Sequence, residues 1–514
     1  MNLSKIFFHS LLKGLIISIG IFALEVEAQE PIPKTKLPTL TQEEMLADFD
    51  TLIESVQKFS PQPPVRKAVT RIDPFTELKK IRRLITKVES TEEYANFIKS
   101  ALTVLQDGHS SLLWPSGYPA DYLKKLGISD RAIELFPSYF DLRISDSKKK
   151  KFNLELKYID GEYYNIIPFE HDGITYESGL KLIEINDQKA PSFIAQLYPY
   201  LRKMRWDYSY ERYYSENFYN AMNLSANQSL NLKFRDKTGE EFEGVFRLDQ
   251  AIQFEDLENN VEPKKVYKVD YFPEDEVLYV RIPTMSLDYV DFFPEEIVSK
   301  SSGKPLKKVI IDIRGNTGGA DNVWVNTLAA IIDKSISFEM LLLANPTEEL
   351  KNKYPNEELS EWKSYRVPFL DNYEYKIFAS GPRLIEPSSS SIRFNGNIYI
   401  LQDGDIYSSA GAFVAIGQLD GRIFTVGQST GWLLGRGINP MFFELPHSKI
   451  LYRIEPVIDF QNVENPKDVY HDNVEIPVSL SIDQYLDRIN HDGDIYGRDF
   501  LFNHDPVFLK ALKD

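Results

Sequence analysis

Three short stretches hold residues whose types and spacing suit acyl transfer. Ser408, in Tyr407-Ser408-Ser409-Ala410, stands between a strand-like and a helix-like run. There an alkoxide meets the positive end of a helix dipole and backbone N–H groups not used by the helix. A serine hydroxyl is a weak nucleophile and needs a base within hydrogen-bond reach. His109, in Asp107-Gly108-His109-Ser110, offers an imidazole, the side chain best matched to proton transfer near neutral pH. Gly318 and Gly319 can adopt backbone conformations closed to other residues, so their N–H groups can point at a ligand oxygen. Such donors stabilise the oxyanion of a tetrahedral intermediate, which is typically the main source of rate enhancement in acyl transfer. Plainer roles exist for each: a serine there is commonly an N-cap, and a loop histidine is commonly only hydrogen-bonded.

These residues need elements to position them. Residues 308–313 carry a run of β-branched residues, Val309, Ile310, Ile311 and Ile313, then break into a glycine-rich turn followed by an amphipathic stretch, 321–332. That order predicts a buried parallel strand, a tight turn and a helix. The pattern repeats with a strand at 397–401, a turn at 402–406 and a helix over 409–419, which sets Ser408 at a helix start. Residues 41–115 form an N-terminal helical unit. Thr41 and Glu44 make a capping box, Met45, Phe49, Leu52, Ile53 and Val56 share one face, and Pro61, Pro63 and Pro64 break that helix. Two further helical stretches, 75–88 and 91–105, lead into the loop carrying His109.

From 130 to 262 the pattern alternates like strands, with Asp160-Gly161 and Lys237-Thr-Gly239 as hairpin turns. Residues 265–514 have an α/β pattern, interrupted by a polar, loop-like insertion at 344–393. The expected architecture is therefore α/β and multidomain, as 514 residues exceed one ordinary core.

Residues 1–28 carry Lys5, an apolar stretch at 14–24 and the small residues of Val26-Glu27-Ala28, the pattern of a cleavable signal peptide. A proline-rich linker, 29–40, follows. These features predict a periplasmic or secreted protein with no stable membrane span after cleavage; an uncleaved anchor is the alternative. The chain has no cysteine, which excludes disulfides and thiolate metal sites. Its net charge of −17 argues against nucleic acid as a partner.

Lys308-Val-Ile-Ile-Asp312-Ile-Arg314-Gly-Asn316-Thr-Gly318-Gly319 resembles the "D-[LI]-R-x-N-x-G-G" signature of the S41 peptidases, the C-terminal-processing and tricorn-like serine proteases. Tyr407-Ser408-Ser409-Ala410 resembles that family's nucleophile segment, Asp107-Gly108-His109-Ser110 its "D-G-H-[ST]" motif, and Leu445-Pro-His-Ser448 its "L-P-x-S" fragment. The motifs occur in family order. The resemblance implies a ClpP/crotonase-like catalytic core behind a helical unit and a PDZ-like β-rich domain, where Gly179-Leu-Lys-Leu-Ile-Glu-Ile-Asn186-Asp187 is loosely similar to a PDZ strand and turn. A plain β-rich insert without ligand is the other reading of that region.

The family implies a peptidase without metal or cofactor, acting on a peptide or protein. Ser408 would be the nucleophile and His109 the base, with Gly318, Gly319 and Ser409 as oxyanion donors. The tricorn-like branch also uses a glutamate near the C-terminus, for which Glu464 and Glu475 are candidates. The lysine of the other branch falls at Leu433, so a Ser–Lys dyad is not supported. Gly411 replaces the usual glutamate after the nucleophile, and Gly108 replaces the serine that precedes the histidine in the tricorn-like pattern. These departures sustain an alternative, a catalytically inactive S41-like binding protein. Gly427-Gln-Ser429-Thr-Gly431 matches the G-x-S-x-G elbow of other hydrolases, but glycines and a proline follow where a helix must. His491-Asp-Gly-Asp494 lacks the spacing of a calcium loop.

Overall fold

The structure, a computed structural model, describes residues 35–113, 118–147, 154–201, 204–219, 229–247, 266–353, 363–371, 373–417, 420–430, 440–461, 463–470 and 474–514. The expected signal peptide, most of the linker and Leu433 lie outside these. The chain divides into two compact units. One gathers the chain up to Ser147 with Leu341–Ala379 and Gly435–Phe460; the other holds Lys148–Met340, Ser380–Leu434 and Gln461–Asp514.

The first unit opens on the helix Gln42–Phe59. Thr41 caps it, and Glu44 reaches back to the Thr41 N–H at 2.8 Å, completing the capping box. Met45, Phe49, Leu52 and Val56 are buried along one face. Asp48, on the same face, accepts the N–H groups of His447 and Ser448 at 2.8 and 2.7 Å. The Leu445-to-Ser448 fragment is thus anchored to the first helix by a buried carboxylate. The proline cluster ends this helix and at once starts another, Gln62–Thr70, because proline is tolerated in a first turn. Helices Pro74–Ile85 and Thr91–Thr103 follow.

Asp130–Ser147 is helical where alternation suggested strands. Ala132, Leu135, Phe136 and Tyr139 recur at helical spacing and are buried, a period that the internal Pro137 obscures. Ser111–Leu112 pairs antiparallel with Leu451–Ile454, which pairs with Met441–Glu444. The expected loop-like insertion contains the helix Glu348–Lys353 and the strands Ser364–Arg366 and Glu374–Ile385. Its buried residues Leu350, Val367, Tyr375, Phe378 and Ile385 are spread thinly among polar ones, and Tyr375, fully buried, donates to the Pro61 carbonyl at 2.7 Å.

The second unit contains the α/β core. Lys268–Phe272 lies antiparallel to Val277–Arg281; then Val277–Arg281, Lys308–Asp312, Asn397–Gln402, Ile423–Gly427 and Ile476–Pro477 run parallel. Successive strand side chains point to opposite faces. Val309, Ile311, Ile398 and Ile400 pack with Phe293, Trp324 and Phe413 of the crossover helices. Ile310, Tyr399 and Leu401 pack with Leu501, Val507 and Phe508 of the C-terminal helices. Both faces are covered, which is why these strands are mostly apolar.

The β-rich part of this unit is a sheet ordered Asn217–Tyr219, Glu155–Ile159, Glu162–Asn165, Lys181–Ile185, Ser229–Arg235 and Glu241–Arg247. Asp160 and Gly161 both have positive φ, as do Asn186 and Asp187, the backbone of tight hairpin turns.

Candidate active site

Two parallel strands of the second unit end side by side, since Asp312 is opposite Leu401 in the ladder. Each feeds a turn and then a helix, Asp321–Ile331 or Ser409–Gly417. Ser408 stands at the second helix's start, with its carbonyl accepting the Ala412 N–H at 2.9 Å. Its φ is +56°, rare for serine and typical of a sharp strand-to-helix turn that holds a nucleophile outward. The residue is partly exposed, while Ser409 beside it is buried. Ser409 Oγ donates to Asp321 at 2.6 Å, tying the two helix starts together.

The glycine turn packs directly on that serine. A Cβ placed on Gly318 would lie 2.7 Å from Ser408 Cβ, 2.7 Å from the Tyr407 carbonyl and 2.9 Å from the Ser409 nitrogen. Gly319, at φ +138°, leaves no room on its other side, where a Cβ would meet the Met285 carbonyl at 2.2 Å. The Tyr407 N–H donates to the Asn316 carbonyl at 3.2 Å, joining the turns through their backbones. Gly318 N–H already donates to Asn316 Oδ1 at 2.8 Å, whereas Gly319 is the more exposed of the two glycines.

The remaining signature residues are structural. Arg314 makes paired bonds to Asp312 (3.0 and 2.7 Å) and to Asp505 (3.0 and 2.7 Å), all three buried. Asp505 also caps the C-terminal helix Pro506–Lys513 and accepts from Arg488 at 3.0 Å. Burial acts to raise the Asp312 carboxyl, but Arg314 and Arg281 outweigh it and hold the group well below the usual range. The glycine turn is thereby braced from behind by the end of the chain.

His109 belongs to the first unit, where its loop is tightly specified. Asp107 accepts the N–H groups of His109 and Ser110 at 3.0 and 2.6 Å, and Ser110 Oγ donates to it at 2.6 Å. Ser110 Oγ in turn accepts the Glu455 N–H at 3.0 Å. The antiparallel register sets Ser111 opposite Arg453, so two steps further His109 falls opposite Glu455. Glu455 Oε2 is 3.8 Å from His109 Nδ1 and fully buried. Burial, then the charge of Asp107, pushes the Glu455 carboxyl well up, against a smaller opposing pull from Arg453 and Lys353.

Glu455 escaped the sequence reading because nothing local marks it. The available signal was a lone acid closing the apolar run Ile450-Leu-Tyr-Arg-Ile454. Of the two acids singled out, Glu464 is exposed in a turn whose N–H groups bind Asp468. Glu475 accepts the Thr425 N–H at 3.0 Å and braces the sheet edge there. Ser429 follows the strand Ile423–Gly427, and residues 431–439 lie outside the described residues. Asp494 is engaged by Lys268 at 2.7 Å.

Residues 276–456 match the family model for peptidase family S41. No curated protein matches in sequence. Among solved structures, mature CPAF is similar at 13% identity over 88% of this chain and 99% of its own, with a TM-score of 0.52. CPAF complexed with lactacystin is similar at 13% identity over 87% of this chain and 97% of its own, with a TM-score of 0.50. At such identity the likeness is one of fold. The segment similar to peptidase family S41 contains the glycine turn, the Ser408 turn and Glu455.

Proposed function

We propose that the protein is an exported serine endopeptidase that cleaves through an acyl-enzyme on Ser408. The contact of Gly318 with Ser408 carries this reading, because a turn needed only for chain reversal has no reason to press on a serine held at positive φ. Ser408 Oγ attacks the scissile carbonyl while His109 takes its proton. Glu455 stands against Nδ1, which leaves Nε2 as the nitrogen that receives the proton. The oxyanion is bound by the N–H groups of Ser409 and Gly319, with the Gly318 N–H holding the turn through Asn316. The tetrahedral intermediate collapses as His109 protonates the leaving amine, and water repeats the sequence on the ester. Export follows from the signal pattern in residues 1–28.

Mass spectrometry of residues 29–514 after fluorophosphonate treatment tests the assignment. A single adduct on Ser408, lost in Ser408→Ala and in His109→Ala, is expected. An adduct on Ser429 would move the nucleophile to the other serine motif. A folded protein that takes no label would favour binding without catalysis.

A further inference from the structure

The turn that delivers Ser408 begins with Asp403-Gly404-Asp405, and neither acid has a part in the chemistry above. Asp403 Oδ1 accepts two backbone N–H groups, Asp405 of its own turn at 3.0 Å and Gly315 of the glycine turn at 2.9 Å. One carboxylate oxygen therefore spans the two turns at the end opposite the Gly318–Ser408 contact. Asp405 is held from outside, its Oδ1 accepting from Arg205 Nη2 at 3.1 Å. Arg205 comes from the β-rich part, with a side chain only 3% exposed, and its other arm is 3.6 Å from Glu216, which pairs with Lys157 at 2.8 Å. The fit around Gly404 is close. A Cβ there would lie 2.5 Å from Arg205 Nη1 and 2.6 Å from Glu216 Oε2.

We infer that Asp403 is a positioning residue that sets the nucleophile turn and the oxyanion turn in register, with Arg205 of the β-rich part fixing the outer end of the same turn. The inference rests on Ser408 being the nucleophile. Its logic is geometric: Tyr407 N–H to Asn316 O joins the turns near the serine, and Asp403 to Gly315 N–H joins them four residues earlier in the serine turn. Two separated links stop the turns from pivoting about one bond. A carboxylate suits the task because a single oxygen can accept from two donors, more strongly than an amide oxygen does. Burial and the charge of Asp405 push Asp403 up to about 6, with Glu216 adding to the rise and Lys157 opposing it.

The test uses residues 29–514 and the inactivation rate by a fluorophosphonate probe, together with kcat and KM on a fluorescent casein. Asp403→Ala is expected to slow labelling and kcat about 10- to 100-fold while KM stays within about 3-fold, the pattern of a site displaced on the order of 1 Å. Asp403→Asn keeps Oδ1 and should recover to within about 3-fold of wild type. If Asp403→Ala does not fold, Gly404→Ala presses on the same turn without removing a polar group, and the same fall in kcat is expected. Wild-type protein that labels, with Asp403→Ala or Gly404→Ala labelling equally fast, overturns the positioning role. Asn failing as badly as Ala overturns it too, since charge rather than N–H acceptance would then matter. Wild-type protein that takes no label overturns the nucleophile assignment itself, and this inference with it.

Discussion

Replacing Gly318 by alanine probes the site at its tightest point. The new Cβ would start 2.7 Å from Ser408 Cβ and 2.7 Å from the Tyr407 carbonyl oxygen. Non-bonded carbons rest about 3.5–4.0 Å apart, so the serine turn must retreat by roughly 1 Å. Both contacts are with backbone or Cβ atoms, which have no rotamer by which to escape. A displacement near 1 Å is expected to cost on the order of 10²-fold in rate, equivalent to about 2.7 kcal/mol. Stability should fall as well, by about 1–3 kcal/mol, since alanine is strained at φ +101°. Gly303→Ala is the matched control: φ is +72° there, but the Cβ meets nothing within 4 Å. Fluorophosphonate inactivation rates and thermal melts of the two variants separate the effects. The control should melt earlier and label normally, while Gly318→Ala should do both badly. Gly318→Ala labelling at more than about a third of the wild-type rate would refute the claim that this contact sets the nucleophile's position.

Three further changes probe other parts of the site and its supports. Arg314→Met leaves Asp312 and Asp505 buried without their shared cation, and denaturant titration should show a loss of about 3–5 kcal/mol. Glu455→Ala should lower kcat roughly 10²- to 10⁴-fold with the protein still folded. The competent form of Glu455 is the carboxylate and burial raises its folded-state carboxyl, so wild-type activity should climb as rising pH ionises it, and a pH profile that stays flat above the ordinary carboxylate range counts against the pairing. Burial lowers the Lys353 ammonium from 10.5 to about 8. Between those values the unfolded chain binds the extra proton, so stability should rise as pH increases from 8 towards 10.5, and Lys353→Met should flatten that slope in pH-dependent melts.

What the sequence revealed depended on the separation between interacting residues. The glycine turn and the Ser408 turn were legible because each packs its signal into about a dozen residues: an apolar strand, a turn that glycine or positive φ makes possible, and a helix. The helix at 130–147 was not, since an internal proline blurred its period, nor were the strands within 344–393, whose burial falls on few side chains such as Tyr375. Glu455 illustrates the deeper limit. Its meeting with His109 is decided by a strand register that joins residues 345 positions apart, through Ser110 Oγ and the Glu455 N–H. Asp505 is another case, reaching Arg314 across 191 positions. The signature was readable as a pattern, yet what Asp312 and Arg314 do in it depends on a partner near the end of the chain. A nucleophile elbow is a local object and leaves a local trace. The proposed base and its acid are brought together by chain pairing, whose mark on this chain was an acid where an apolar strand should have continued.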